Sequence, residues 1–195
     1  FPYTEGSITI NNYELKDIQK KHLREHVGLV LQEPFLFSKT IASNLKIVNP
    51  DITEEEMFNS IKIASLDQTI NDLKDGLNTY VGERGVSLSG GQKQRISIAR
   101  TLVTKAPVLI FDDSLSAVDT ETDIKIRQAL KQRAKDKTTI IVTHRVSTAK
   151  DADHIIILEN GKVSEFGTHQ ELVNKPGLYQ RIYEIQNRIV WGDLC

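Results

Sequence analysis

Cysteine is almost absent: Cys195 is the only one in 195 residues. One thiol allows no internal disulfide framework, so stability must come from a packed core, and such usage fits a reducing compartment. Long apolar runs are missing too. The longest, such as Ile155-Ile156-Ile157-Leu158, fall far short of the ~20 residues that cross a bilayer, so membrane attachment is expected only through another segment or subunit. No signal peptide is legible. An excess of one charge is also lacking, since 25 Lys and Arg stand against 26 Asp and Glu for a net charge of −1. That balance gives no field to draw nucleic acid or an anionic membrane surface. Low-complexity tracts and internal repeats are absent. The remainder is an ordinary globular composition, 39% hydrophobic, with room for one large or two small domains.

Two stretches carry chemistry. Leu88-Ser89-Gly90-Gly91-Gln92 reads as a turn feeding a helix, because Ile96, Ala99, Leu102 and Val103 recur at helical spacing behind it. Gly90 and Gly91 have no side chain, so a phosphate can come close to bare amides at a helix N-terminus, where the dipole adds attraction. Fifteen residues later comes Pro107-Val108-Leu109-Ile110-Phe111-Asp112-Asp113. It reads as a buried parallel strand delivering two carboxylates at its C-terminal end, where open α/β sheets keep their ligands. A glycine turn or an acid-tipped strand is common by itself. Together, at this spacing, they resemble the signature motif and Walker B motif of the ATP-binding-cassette (ABC) ATPases.

Phe1 to Glu5 shows neither a start methionine nor a helix cap, and the chain reads as cut at its N-terminus. Ser7 to Ile10 alternates like a strand, Asn11-Asn12 turns it, and Tyr13 to Leu15 returns. Val27-Gly28-Leu29-Val30-Leu31 is a second apolar strand with Gln32 at its exit, and Pro34 stops any continuation. Thr40 to Ile47 reads as a short helix. Thr53-Glu54-Glu55-Glu56 is a capping box opening a helix with Met57, Ile61 and Ala64 on one face, and Leu66 to Leu73 continues it. Thr79 to Gly85 is irregular. Ser114 to Asp119 leads into a helix with Glu121 and Asp123 in its first turn and Ile126, Ala129 and Leu130 on its buried side, and Asp119 is placed to cap it. Thr139 to Val142 is another buried strand, delivering His144. A hairpin follows, Ile155 to Leu158 and Lys162 to Phe166 turned by Asn160-Gly161, and Gly167 to Leu172 opens the last helices.

The resemblance extends over nearly all of residues 1–188. Val30 to Phe37 resembles the Q-loop, Ser116 to Asp119 the D-loop, and His144 the H-loop histidine. Thr79 to Gly85, with its Glu83-Arg84-Gly85 lead-in, resembles the segment that faces the membrane domain in exporters. The implied fold is an α/β P-loop NTPase core with a mostly parallel sheet, an antiparallel β piece at the N-terminus and a helical signature subdomain over about 40–105, followed by a tail at 189–195. Missing from the chain are the first core strand, the P-loop and the helix after it: Gly-x-x-x-x-Gly-Lys-Ser/Thr occurs nowhere in the sequence.

The resemblance also implies an ATPase using ATP and Mg²⁺. Asp113 would be the general base, with Gln32 and His144 beside it in catalysis. Asp112 and Gln32 would hold the metal, and Ser89, Gly90, Gly91, Gln92 and Asp119 would bind nucleotide. The partners implied are a second nucleotide-binding domain and an exporter's transmembrane domain, which places the chain at the cytoplasmic face of the plasma membrane. The family has glutamate where this chain has Asp113. Aspartate is one methylene shorter and stops roughly 1 Å short of the attacking water, which can cost on the order of 100-fold in rate. That departure resembles the degenerate half of heterodimeric exporters. Two alternatives stand beside this reading: a non-catalytic remnant or regulatory dimerisation subunit, favoured by the missing P-loop, and a soluble non-transporter ABC ATPase, disfavoured because no heptad arm interrupts the motifs.

Overall fold

The computed structural model describes residues 3–82, 86–132 and 137–192, with side-chain surroundings through residue 187. The Glu83-Arg84-Gly85 lead-in and Cys195 lie outside these residues. The chain forms two compact units, Phe1–Val142 and Thr143–Cys195, a division its composition does not announce.

In the first unit, β1 (Thr9–Ile10) and β2 (Tyr13–Glu14) form a short antiparallel hairpin, with Asn11 and Asn12 both at positive φ in the turn. The return strand ends before Leu15, which opens a single 3₁₀ turn. Helix α1 (Lys20–His26) follows and was not legible in the sequence, because it has no apolar stripe and no side-chain cap at Gln19. It runs directly into β3 (Val27–Val30). The helices α2 (Ile41–Lys46), α3 (Glu54–Ile63), α4 (Asp67–Asn71) and α5 (Gly90–Val103) separate β3 from β4 (Val108–Asp112). Thr53 and Glu56 close the expected capping box on α3. The expected continuation through Leu66 to Leu73 is interrupted, since Ser65 adopts φ 52° and starts α4 on a new axis.

Helix α6 (Thr120–Gln132) then leads to β5 (Thr138–Val142), and the sheet order β3-β4-β5 is parallel throughout. Register pairs Val30 with Phe111 and Ile110 with Ile140. Side chains alternate faces along each strand, so Val30, Leu109 and Phe111 share the face packed by helices and are at most 2% exposed. The core continues through Leu45, Ile61, Ile98 and Ile126. Each such large apolar side chain contributes about 1.5–3 kcal/mol by leaving water. Gly28 lets β3 approach α5 closely, for a β-carbon there would sit 2.8 Å from Thr101 Cγ2.

The expectation that Thr139 to Val142 is buried is not met. Ile140 is 47% and Val142 51% exposed, and Leu29 on the same sheet face is 50% exposed. The apolar run fixes a strand, but no described element of this unit covers the face that these three residues share with Ile110.

The second unit contains α7 (Val146–Ala149), the hairpin β6 (Ile155–Glu159) and β7 (Lys162–Gly167), α8 (His169–Val173) and α9 (Leu178–Gly192). Asn160 (φ 50°) and Gly161 (φ 76°) supply the two left-handed residues that a tight hairpin turn needs. Thr168 and Glu171 form a capping box on α8. Val146, Ile155, Leu172 and Tyr179 make a small core, where burial raises the Tyr179 phenol above its usual range and its oxygen meets His169 Nδ1 at 2.8 Å. Helix α9 runs on into the segment read as a tail.

Candidate nucleotide site

Pairing of β3 with β4 brings two strand ends side by side. Gln32, two residues beyond β3, donates from Nε2 toward Asp113 Oδ2 at 3.5 Å, across 81 positions of sequence. Asp112 is the last residue of β4 and its side chain is exposed. Asp113 follows at φ 44°, a left-handed conformation that aspartate tolerates better than most residues. Its backbone is pinned on both sides. The Asp113 N–H donates to the Val142 carbonyl at 3.0 Å, and the Asp113 carbonyl accepts from the Ser116 hydroxyl at 2.6 Å.

Ser89 caps α5 in a reciprocal box. The Gln92 N–H donates to Ser89 Oγ at 3.2 Å, and Gln92 Oε1 accepts from the Ser89 N–H at 2.9 Å. The hydroxyl therefore spends an acceptor site on the helix, while the amides of Gly90 and Gly91 precede the first intrahelical bond. Space around the two glycines differs. A β-carbon at Gly90 would meet nothing within 4 Å, but one at Gly91 would sit 3.1 Å from the Ala117 carbonyl. The turn before α5 thus leans on the loop between β4 and α6. That loop ends at Asp119, whose Oδ1 accepts from the Thr122 N–H at 2.9 Å and caps α6. Hydrogen bonds from the Thr122 backbone and hydroxyl hold the Asp119 carboxyl below its ordinary range, and the Arg95 charge adds to this.

Two positioning residues escaped the sequence reading. Gln94 is fully buried in α5 and donates from Nε2 to the Leu31 carbonyl at 3.0 Å, one residue before Gln32. Thr101, one turn pair further along the helix, donates from its hydroxyl to the Leu29 carbonyl at 3.3 Å. The available signal was two polar residues lying on the stripe that α5 buries. The remaining predicted residue, His144, is exposed in the second unit, where its carbonyl accepts from Gln186 Nε2 at 2.8 Å.

The donor set suits a hard cation beside a phosphate. Asp112 offers an exposed carboxylate, and Gln32 keeps its amide oxygen after its Nε2 has turned to Asp113, which are oxygen types that Mg²⁺ accepts. Acid-tipped ends of parallel strands and open, capped helix N-termini are both places where α/β folds bind nucleotides and other anions. Comparison with known proteins agrees. The ABC transporter family profile matches residues 1–116, and the chain belongs to that family. It is 46% identical over 187 residues to a Staphylococcus aureus strain NCTC 8325 protein provisionally named a multidrug export ATP-binding/permease protein, covering 96% of this chain and 32% of that one. The corresponding protein of strain Mu50 matches at the same 46%, again over 96% of this chain and 32% of the relative. Among solved structures, a bacterial Atm1-family ABC exporter with ATP bound superposes with a TM-score of 0.88 at 38% identity, over 93% of this chain and 32% of that one. The chain therefore spans about a third of the length of these relatives and is similar to the ATP-binding part of exporters.

Proposed function

We propose that this chain is the ATP-hydrolysing motor of an exporter, working head to tail with a second nucleotide-binding domain and driving an attached transmembrane domain at the cytoplasmic face of the plasma membrane. The observation that carries the reading is the convergence of Gln32 with Asp112 and Asp113 at the ends of neighbouring parallel strands. In this reading Asp112 and Gln32 hold Mg²⁺, which neutralises charge on the transferred phosphoryl group when bound. Asp113 orients the attacking water as general base, and His144 contacts the γ-phosphate. Gln94 and Thr101 keep the strand exit, and with it Gln32, in register with α5. Ser89, Gly90, Gly91 and Gln92 face a nucleotide held mainly by the partner domain, with Asp119 at the same interface. Catalysis of this kind is largely positioning and charge stabilisation, which suits a site built from strand ends and backbone amides. We assign Thr79 to Gly85, within the helical stretch 40–105, to contact with the membrane domain.

Because the sequence contains no P-loop lysine, the 195 residues alone are expected to be inactive. We further propose a heterodimer, in which Asp113 weakens only the site built on this chain and the complete signature serves the opposite one. The test is phosphate release by the intact transporter that contains this chain. Ser89→Arg, which fills the anion-facing turn, is expected to abolish MgATP turnover, and chelating the metal should do the same in the unmodified protein. Unchanged turnover in the Ser89→Arg transporter would overturn the reading.

A further inference from the structure

Helix α1 carries a group of side chains that the ATPase reading does not use. His22 and His26 are one helical turn apart, and Glu25 precedes His26. On a helix advancing 100° per residue these three share one face, while Lys20 and Arg24 fall on the opposite one and Lys21 lies at the edge beside Glu25. One ligand atom from each of His22, Glu25 and His26 lies within 4.8 Å of the other two, and all three residues are exposed. Their geometry is already partly organised. The two imidazoles stack with centroids 4.1 Å apart, and His26 Nδ1 lies 2.8 Å from the His22 carbonyl. A proton on that Nδ1 makes it the donor to the carbonyl and leaves the lone pair on Nε2, the arrangement by which proteins fix a ligating histidine.

We propose that His22, Glu25 and His26 form a surface site for a borderline transition-metal dication of the Zn²⁺ type. Two histidines four residues apart present nitrogens to one ion from successive turns, and a carboxylate supplies a third ligand and a compensating charge. Binding would draw these atoms together from their present separations, since metal–nitrogen bonds are ~2.1 Å long. Imidazole pairs favour Zn²⁺, Ni²⁺ or Cu²⁺ over Mg²⁺, so this site and the nucleotide's metal would not compete. The placement also has a structural effect: α1 is seven residues long, lacks a side-chain cap and feeds β3 directly, so an ion bridging its last turn would brace the start of the strand that ends near Gln32.

The test is titration of the full chain with ZnCl₂, followed by ¹⁵N spectra of its histidine rings. The sequence has five histidines. Signals of His22 and His26 should move together at one equivalent of Zn²⁺, ahead of His144, His154 and His169, and MgCl₂ should move none of them. His22→Asn with His26→Asn should weaken Zn²⁺ binding by at least ~10-fold, and Glu25→Gln by less. The proposal fails if Zn²⁺ shifts the other histidines first, or if the double variant binds Zn²⁺ as tightly as the original. The ring spectra come from the unaltered chain, so they decide the matter even if a variant folds poorly.

Discussion

Replacing Gly91 with valine separates the packing role of that residue from the one proposed for it across the pair. A β-carbon at Gly91 stops 3.1 Å from the Ala117 carbonyl, whereas one at Gly90 has open space. The β-carbon alone requires the carbonyl or the start of α5 to give way by a few tenths of an ångström, and the two methyl groups that valine adds beyond it crowd the turn further. Overpacking of this kind costs about 1–3 kcal/mol. In a domain of this size each kcal/mol lowers Tm by about 2–4 °C, so Gly91→Val is expected to melt roughly 2–12 °C lower. Gly90→Ala should melt at or slightly above the original, since alanine is the better helix former at an uncrowded position. The loop moved by Gly91→Val leads to Asp119, and a 1 Å displacement near a reacting phosphate costs on the order of 100-fold in turnover. The assays are scanning fluorimetry, steady-state phosphate release by the intact transporter, and equilibrium ATP binding to the domain carrying the change. Turnover should collapse while that domain's own ATP binding stays near normal. Equal melting of the two variants would refute the packing argument, and loss of the domain's own ATP binding would refute the assignment of Gly91 to the opposite nucleotide.

The isolated 195-residue chain is expected to bind MgATP only weakly and to unfold at modest temperature, given the open face formed by Leu29, Ile140 and Val142. Micromolar affinity in a titration, or a cooperative melt above roughly 60 °C, would contradict this. Asp119→Asn should alter how stability depends on pH in acid. The folded Asp119 carboxyl is lowered by its bonds to Thr122, so its contribution is complete above the unfolded value of ~3.9 and is lost as pH falls through the lower folded value. Asparagine caps a helix about equally well without titrating. The Tm difference between the two proteins should therefore be flat from pH 5 to 7 and change only below about pH 4, and a difference that changes across neutral pH would exclude the cap as its source.

Local chemistry was the legible part of this fold. Thr53 with Glu56 and Asn160 with Gly161 announce a cap and a turn through short-range hydrogen bonding and φ preference, and each is where it was expected. Helix α1 gave no such signal, because Lys20 to His26 has neither an apolar period nor a cap. The exposure of β5 is not legible in the sequence, because an apolar run describes the strand and not what covers it. At the site, the residue types at Asp112, Asp113 and Gln32 were readable, but the approach of Gln32 to Asp113 depends on sheet register across 81 residues. The hold of Gln94 on Leu31 depends on the same long-range geometry.

The central claim is that this chain contributes a weakened catalytic site of its own and a working signature to the site opposite. Its most direct test is ATP turnover by the intact pair, comparing Asp113→Asn in this chain with replacement of the matching acid in the partner by its amide. The account predicts that Asp113→Asn retains most of the turnover and that the partner's change removes it. Equal losses from the two changes, or abolition of turnover by Asp113→Asn alone, would contradict it.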